Sequence, residues 1–253
     1  MGAALLGQVQ GLTEFLPVSS SGHLVLVRAL LHWQSSGASL EVWLHAATLV
    51  SVLVALRFQM AALFRGLWRR ERSSMRLLLA IIVGTLPAAT AGFFLRPFVP
   101  GLFQLPVAAV GFLLTSLLLF TAPGGSRDGG RELADLTALD ALIIGGMQAC
   151  ALLPGLSRSA STMAAARWCG LSPRAAAEFS FLLAMPVIAG AFVLTGVPAP
   201  PMATAVLIGA LTAGTAGVLA VQWAMRGIVK PQWWRGFGIY TLVMAILAWG
   251  IGR

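Results

Sequence analysis

Gln10 to His23 reads QGLTEFLPVSSSGH, and the rest of the chain is read outward from it. An ionisable group inside an apolar span is expensive, and is by default a functional candidate. Here Glu14 and His23 flank three consecutive serines, Ser19, Ser20 and Ser21. Pro17 and Gly22 break helix on either side of them. The simplest reading is helix, broken turn, helix. Irregular backbone at membrane depth is tolerated only where it is buried in protein or lines a wet cavity. The stretch therefore predicts a polar pocket inside a bilayer protein.

A second stretch answers the first. Leu153 to Thr162 reads LPGLSRSAST, and both stretches carry Leu-Pro-x-x-Ser: Leu16, Pro17 and Ser20, then Leu153, Pro154 and Ser157. A glutamine precedes each proline, Gln10 and Gln148. The first stretch supplies an acid and a histidine. The second supplies a cation, Arg158, among the hydroxyls of Ser157, Ser159, Ser161 and Thr162. Together they hold a set of groups that neither has alone.

The surrounding composition is that of an integral membrane protein. Hydrophobic residues make up 58% and charged residues 10% of 253, about half the usual share of charge. That length holds about six spans of roughly 20 residues. The net charge of +9 comes almost wholly from arginine. It falls in short loops between apolar runs, which suits the positive-inside rule rather than nucleic-acid binding, which is set aside. Cys150 and Cys169 show no disulfide framework or metal spacing. The first apolar run lacks a basic leader, so no cleaved signal peptide is expected.

Taken in order, residues 1–16 and 22–32 are each too short to cross and read as a re-entrant hairpin. Spans are expected at 40–64, 76–95 and 105–122. Residues 123–138 form a polar, glycine-rich loop. A second hairpin follows, 139–153 with the Ser-Arg-Ser turn and a short piece to Gly170. Spans at about 174–197, 202–225 and 233–251 complete the chain. Placing the loop with Arg65, Arg69, Arg70, Arg72 and Arg76 in the cytoplasm puts 96–104 outside, 123–138 inside, the uncharged 197–201 outside and the basic 226–235 inside. The two halves then have opposite orientation, as in many transporter folds. The expected fold is all-α and integral to the membrane. It has six transmembrane helices plus two re-entrant helical hairpins in an inverted-topology repeat. Residues 1–253 form a single membrane domain, its halves 1–122 and 139–253. Hairpins entering from opposite faces would meet near the midplane, joining Glu14, Ser20 and His23 to Ser157, Arg158 and Thr162.

A guanidinium in a membrane site calls for a planar oxyanion, and phosphate suits its fork. A helix begins after each turn, and helix N-termini bind phosphate. Two opposed helix starts and one arginine could hold a diphosphate. Ser20 and His23 are three apart and share a helical face, the general arrangement of an activated nucleophile. His23 could equally be the nucleophile or the base for water. Glu14 can orient His23, act as a base, or hold a divalent cation with phosphate. Any one of the serines could equally be a helix cap. Glu41 and His45 read as interfacial polarity at the outer end of a span, and Trp233 and Trp234 as part of an interfacial belt.

The two signatures, with GLSPRAAAEFSFLLAMPVIAGA from Gly170 to Ala191, resemble those of the undecaprenyl-diphosphate phosphatases of the bacitracin-resistance type. The likeness covers essentially the whole chain. It implies an inner-membrane, multi-pass hydrolase whose site opens to the periplasmic side. Such an enzyme removes the terminal phosphate of the polyprenyl diphosphate carrier and recycles it for peptidoglycan. It also implies a divalent cation, Mg2+ or Ca2+, with Glu14 as a candidate ligand; Gln10 stands where the family carries Glu or Gln. Carried over, the catalytic positions are Glu14, Ser20, His23 and Arg158. The phosphate-binding positions are Gln10, Ser19, Gly155, Ser157, Ser159 and Thr162. The expected partners are the polyprenyl diphosphate lipid and the bilayer, with a homodimer left open. The rival reading is a transporter or flippase of polyprenyl phosphate lipids, which needs Arg158 but no nucleophile.

Overall fold

Two helices too short to cross a bilayer open the chain, as their lengths in sequence require. The computed structural model describes residues 2–31, 39–123, 130–195 and 203–253. Helix α1 (Gly2–Phe15) has 14 residues, about 21 Å at 1.5 Å per residue, against a hydrocarbon core of about 30 Å. Helix α2 (Ser20–Leu30) has 11. Pro17 and the turn around it separate them.

Helices α3 (Ser39–Ala55), α4 (Arg57–Trp68), α5 (Arg72–Leu95), α6 (Val99–Leu102) and α7 (Leu105–Thr121) follow. The second half holds α8 (Ala138–Cys150), α9 (Arg158–Trp168), α10 (Pro173–Thr195), α11 (Ala203–Gly227) and α12 (Pro231–Ile251). The fold is all-helical: the β-type contact among the described residues is one bridge between Arg131 and Leu171. Among the described residues α5, α10, α11 and α12 are long and apolar enough to cross a membrane, and α3 with α4 makes a fifth if counted as one span. Helix α7, an apolar helix of 17 residues, is shorter. The chain is a multi-pass membrane protein.

The expected span 40–64 is the one that changes. It is bent by 72° between α3 and α4. Arg57 begins α4, hydrogen-bonding the Val54 carbonyl and lying over the Phe58 ring at 4.4 Å. A guanidinium inside an apolar span costs several kcal/mol, about 2.5–3.5 on insertion scales, and the bend releases it. Helix α4 leaves Phe58, Phe64 and Trp68 exposed beside Arg57 and Arg65, the composition of an interfacial helix. The 197–201 connection and residues 124–129 of the 123–138 loop lie outside the described residues.

Each short hairpin packs on a long helix of the other half: α1 on α11 and α8 on α5. Small residues make this possible, since close approach of backbones replaces hydrophobic drive in lipid. A Cβ on Gly7 would lie 2.3 Å from the Gly209 carbonyl oxygen, and one on Gly145 would lie 2.3 Å from that of Gly84. Helices α7 and α12 join the halves, with Ser116 donating to the Gly238 carbonyl at 2.8 Å. A core of Phe15, Leu16, Val52, Met163, Phe181 and Val221 fills the space beneath the two turns. Trp234 belongs to that core, fully buried with its Nε1 donating to the Ile228 carbonyl at 3.0 Å. It is not an interfacial tryptophan, because the indole N–H finds its partner in the turn that starts its own helix.

The loop before α8 is fastened to the α9–α10 junction. Arg131 pairs with Asp140 at 2.7 Å and donates to the Cys169 carbonyl at 3.0 Å. Thr137 caps α8 in a reciprocal box with Asp140.

Candidate active site

The two turns touch. A Cβ on Gly22 would lie 2.8 Å from the Gly155 Cα. Ser159, at the start of α9, donates to the Leu16 carbonyl at 2.9 Å. The Pro154–Gly155 turn is pressed onto α7, where Thr115 donates to the Gly155 carbonyl at 2.8 Å and accepts from the Ser157 N–H at 2.9 Å. Gly155 has φ +87°, which a side chain would strain.

Glu14 is the centre of the site. It is 8% exposed, and both carboxylate oxygens are occupied. Oε1 receives the Arg158 guanidinium at 3.0 Å. Oε2 receives the Ser20 hydroxyl at 2.5 Å and the Gln10 amide at 2.9 Å. The His45 Nε2 lies 3.8 Å from the same oxygen. A buried carboxylate with several donors and one cation is a satisfied charge.

The structure therefore brings together Gln10, Glu14, Ser20 and Arg158, from α1, α2 and α9. His45, read as interfacial polarity, faces the site instead: one turn of α3 separates it from Glu41, which pairs with Arg28 at 2.8 Å.

The expectation that Ser20 is paired with His23 is corrected. The serine hydroxyl gives its proton to Glu14, and both imidazole nitrogens are engaged elsewhere. Nδ1 is 2.7 Å from the Ser19 carbonyl oxygen and Nε2 is 2.7 Å from the Tyr240 hydroxyl. A shared helical face puts the two side chains on one side without making them touch.

The remaining positions divide into those that hold the turns and those that face the site. Ser19 caps α2, its Oγ accepting from the Gly22 N–H at 3.3 Å, at φ +69°. Ser157 caps α9 by accepting from the Ala160 N–H at 3.2 Å, and shares a 3.1 Å contact with the Ser159 hydroxyl. Thr162 is fully buried and spends its hydroxyl on Ser180 at 2.6 Å and on the Arg158 carbonyl at 2.8 Å. Ser180 also takes Arg158 on its carbonyl, Nη1 to oxygen 3.3 Å. Thr162 thus acts on the arginine's surroundings. Gln148 occupies the place of Gln10 in the other half, yet both its amide atoms are buried without a partner.

Sequence reading missed Tyr240, Ser180 and Thr115. Tyr240 alone left a signal, as the single tyrosine of the chain, standing in an apolar span.

A family model described as bacitracin resistance protein BacA matches residues 3–247. The chain belongs to that family. Among curated relatives, an undecaprenyl-diphosphatase 4 of Bacillus thuringiensis subsp. konkukian is 34% identical over 99% of this chain and 93% of its own length. An undecaprenyl-diphosphatase of Desulfatibacillum aliphaticivorans is 36% identical over 91% of each chain. One of Myxococcus xanthus is 35% identical over 97% of this chain and 86% of its own. The family likeness spans both half-sites, so the meeting of α1, α2 and α9 lies wholly inside the matched region.

Proposed function

We propose that the chain is an undecaprenyl-diphosphatase, a hydrolase that cleaves the terminal phosphate from the polyprenyl diphosphate carrier. The observation that carries the reading is the Arg158–Glu14–Ser20 chain of contacts, 3.0 and 2.5 Å long. It joins a phosphate-binding cation, a base and a nucleophile in one buried place. The family and the names of the relatives support it.

Ser20 Oγ attacks the terminal phosphorus and its proton passes to Glu14 Oε2, the acceptor it already faces. The bond from phosphorus to the bridging oxygen breaks, and undecaprenyl phosphate leaves. Glu14 gives that proton to the departing undecaprenyl phosphate; water then attacks the phosphoserine, passing a proton to Glu14, which returns it to Ser20 Oγ as the Ser20–phosphorus bond breaks. Inorganic phosphate departs and Ser20 is restored. Arg158 stabilises the charge that builds on the phosphoryl oxygens, and its fork suits two of them.

A divalent cation, Mg2+ or Ca2+, belongs to this proposal. Gln10 Oε1 is buried without a partner, beside the Glu14 carboxylate. One carboxylate and one amide oxygen, with substrate phosphate and water, make a fitting seat for a hard cation. Among the described residues no group of three His, Cys, Asp or Glu gathers as a metal site, so the diphosphate itself would bring much of the coordination. The ion would neutralise charge on the phosphates.

The same reading includes six spans and two re-entrant hairpins in an inverted repeat, within one membrane domain of halves 1–122 and 139–253. The reciprocal packing of α1 on α11 and of α8 on α5 supports it. The arginine-rich 65–76 segment also supports it: with that end in the cytoplasm, the site would open towards the outer face of the inner membrane. Carrier recycling for peptidoglycan follows from that placement.

Purified protein in detergent should release inorganic phosphate from undecaprenyl diphosphate. The inverted packing also suits a flippase of polyprenyl phosphates. That alternative takes over if no phosphate is released while proteoliposomes still move the lipid between leaflets.

A further inference from the structure

His23 is held on three sides. The Ser19 oxygen is a carbonyl and can only accept, so the imidazole Nδ1 at 2.7 Å carries the proton. Nε2 is then the acceptor, and the Tyr240 hydroxyl at 2.7 Å donates to it. The Tyr240 ring lies beside the imidazole and nearly parallel to it, centroids 5.6 Å apart and planes 5° from parallel. Phe112 of α7 meets the same imidazole edge-on at 5.2 Å.

The ring in turn holds the nucleophile's turn. Ser19 is in the left-handed region at φ +69°, unfavourable for a residue with a side chain. Its carbonyl takes both the backbone N–H of His23 at 3.2 Å and the imidazole Nδ1–H. The next residue is Ser20, whose hydroxyl is at 2.5 Å from Glu14. A continuous line of contacts runs from α12 to the nucleophile: Tyr240 to His23 to Ser19 to Ser20.

The tautomer decides whether that line holds. If the imidazole proton moved to Nε2, the Nδ1 lone pair would face the lone pairs of the Ser19 oxygen, and the contact would turn repulsive. The carbonyl thus fixes the Nδ1–H tautomer, and the Tyr240 hydroxyl, donating to the free Nε2, holds the imidazole in the orientation that keeps this bond. A phenylalanine would fill the same space and leave Nε2 without that anchor. Tyr240 stands on a helix whose neighbours Ile239, Val243, Ile246 and Leu247 are exposed to lipid, where a phenol needs a partner.

We propose that Tyr240 is a positioning residue of the active site: its hydroxyl, donating to Nε2, holds the His23 imidazole against the Ser19 carbonyl, which braces the Ser19 turn and aims Ser20 at Glu14. The proposal rests on the phosphatase reading for its effect on turnover, but not for the Tyr240–His23 bond itself.

Tyr240→Phe tests it. Turnover of undecaprenyl diphosphate should fall about tenfold, as when a side chain that orients an active-site group is lost, with KM changed less than about twofold. The unfolding midpoint should stay at the wild-type value. Nitrogen NMR of histidine-labelled protein, with the His23 signals assigned by His23→Asn, should show an acceptor Nε2 shifted by its hydrogen bond in wild type and that shift lost in Tyr240→Phe. His23→Asn supplies a second arm, because it removes the imidazole that Tyr240 holds while an amide N–H can still donate to the Ser19 carbonyl. Adding Tyr240→Phe to it should cost nothing further. Wild-type turnover in Tyr240→Phe, or an equal loss in the His23→Asn background, overturns the proposal. An unchanged His23 Nε2 signal in Tyr240→Phe overturns it even if the wild-type protein releases no phosphate, a result that would by itself count only against the phosphatase reading.

Discussion

Glu14 and Arg158 neutralise each other across two half-sites, and the roles assigned to them differ in what a substitution removes. Arg158→Ala should lower phosphate release by about a thousandfold, the scale of losing a preorganised charge at a phosphoryl transfer. Arg158→Lys keeps the charge but not the fork, and should fall between the two. Rates equal to wild type in Arg158→Ala would remove the clamp role. Glu14→Gln keeps the shape and loses the proton acceptor. It should suppress turnover while Ser20 stays in place, as read from phosphate release together with an unchanged unfolding midpoint. The acid, the serine and the arginine were legible from spacing alone, because polar residues in an apolar chain stand out. Their partners were not. Ser20 and His23 share a helical face, yet the serine bonds Glu14 and the histidine bonds a tyrosine 217 residues away. No local period encodes a contact of that range. His45 was read as a span-end residue, since sequence gives its depth but not which wall it faces.

Helix packing decides whether these residues meet. Gly145 of α8 abuts the Gly84 backbone, and a side chain has no space there. Gly145→Leu should destabilise the fold by about 1–3 kcal/mol, the range for overpacking, seen as a lower unfolding midpoint in detergent. Gly146 one residue on has open space, so Gly146→Leu should leave the midpoint unchanged; equal effects at both would contradict the packing. Thr137→Ala removes the cap and box of α8 and should cost about 1 kcal/mol. Short apolar segments between breakers marked both short helix pairs in sequence, because length alone tells a helix too short to span from one that can. The bend between α3 and α4 escaped that reading, since hydropathy averaged over 40–64 hides one arginine. Trp234 escaped it too, as belt and core tryptophans look alike until a hydrogen-bond partner is seen.

The whole molecule is arranged so that neither half is complete. The first contributes Ser20 and the carboxylate it bonds, the second the cation, and each short helix pair leans on a long helix of the other half. Arginine placement predicts opposite orientation of the halves, and the reciprocal packing accords with it. In a background with Cys150 and Cys169 replaced, Arg70→Cys should resist a membrane-impermeant thiol reagent in intact spheroplasts, while Phe98→Cys should react. The reverse pattern would invert the topology. The central claim, that groups from both halves form one phosphoryl-transfer site around Ser20, is tested most directly by quenching the reaction with undecaprenyl diphosphate labelled in its terminal phosphate and locating the label on the protein. The account predicts phosphate on Ser20 in the wild-type chain. Label on His23, or full-rate hydrolysis by Ser20→Ala, would contradict it.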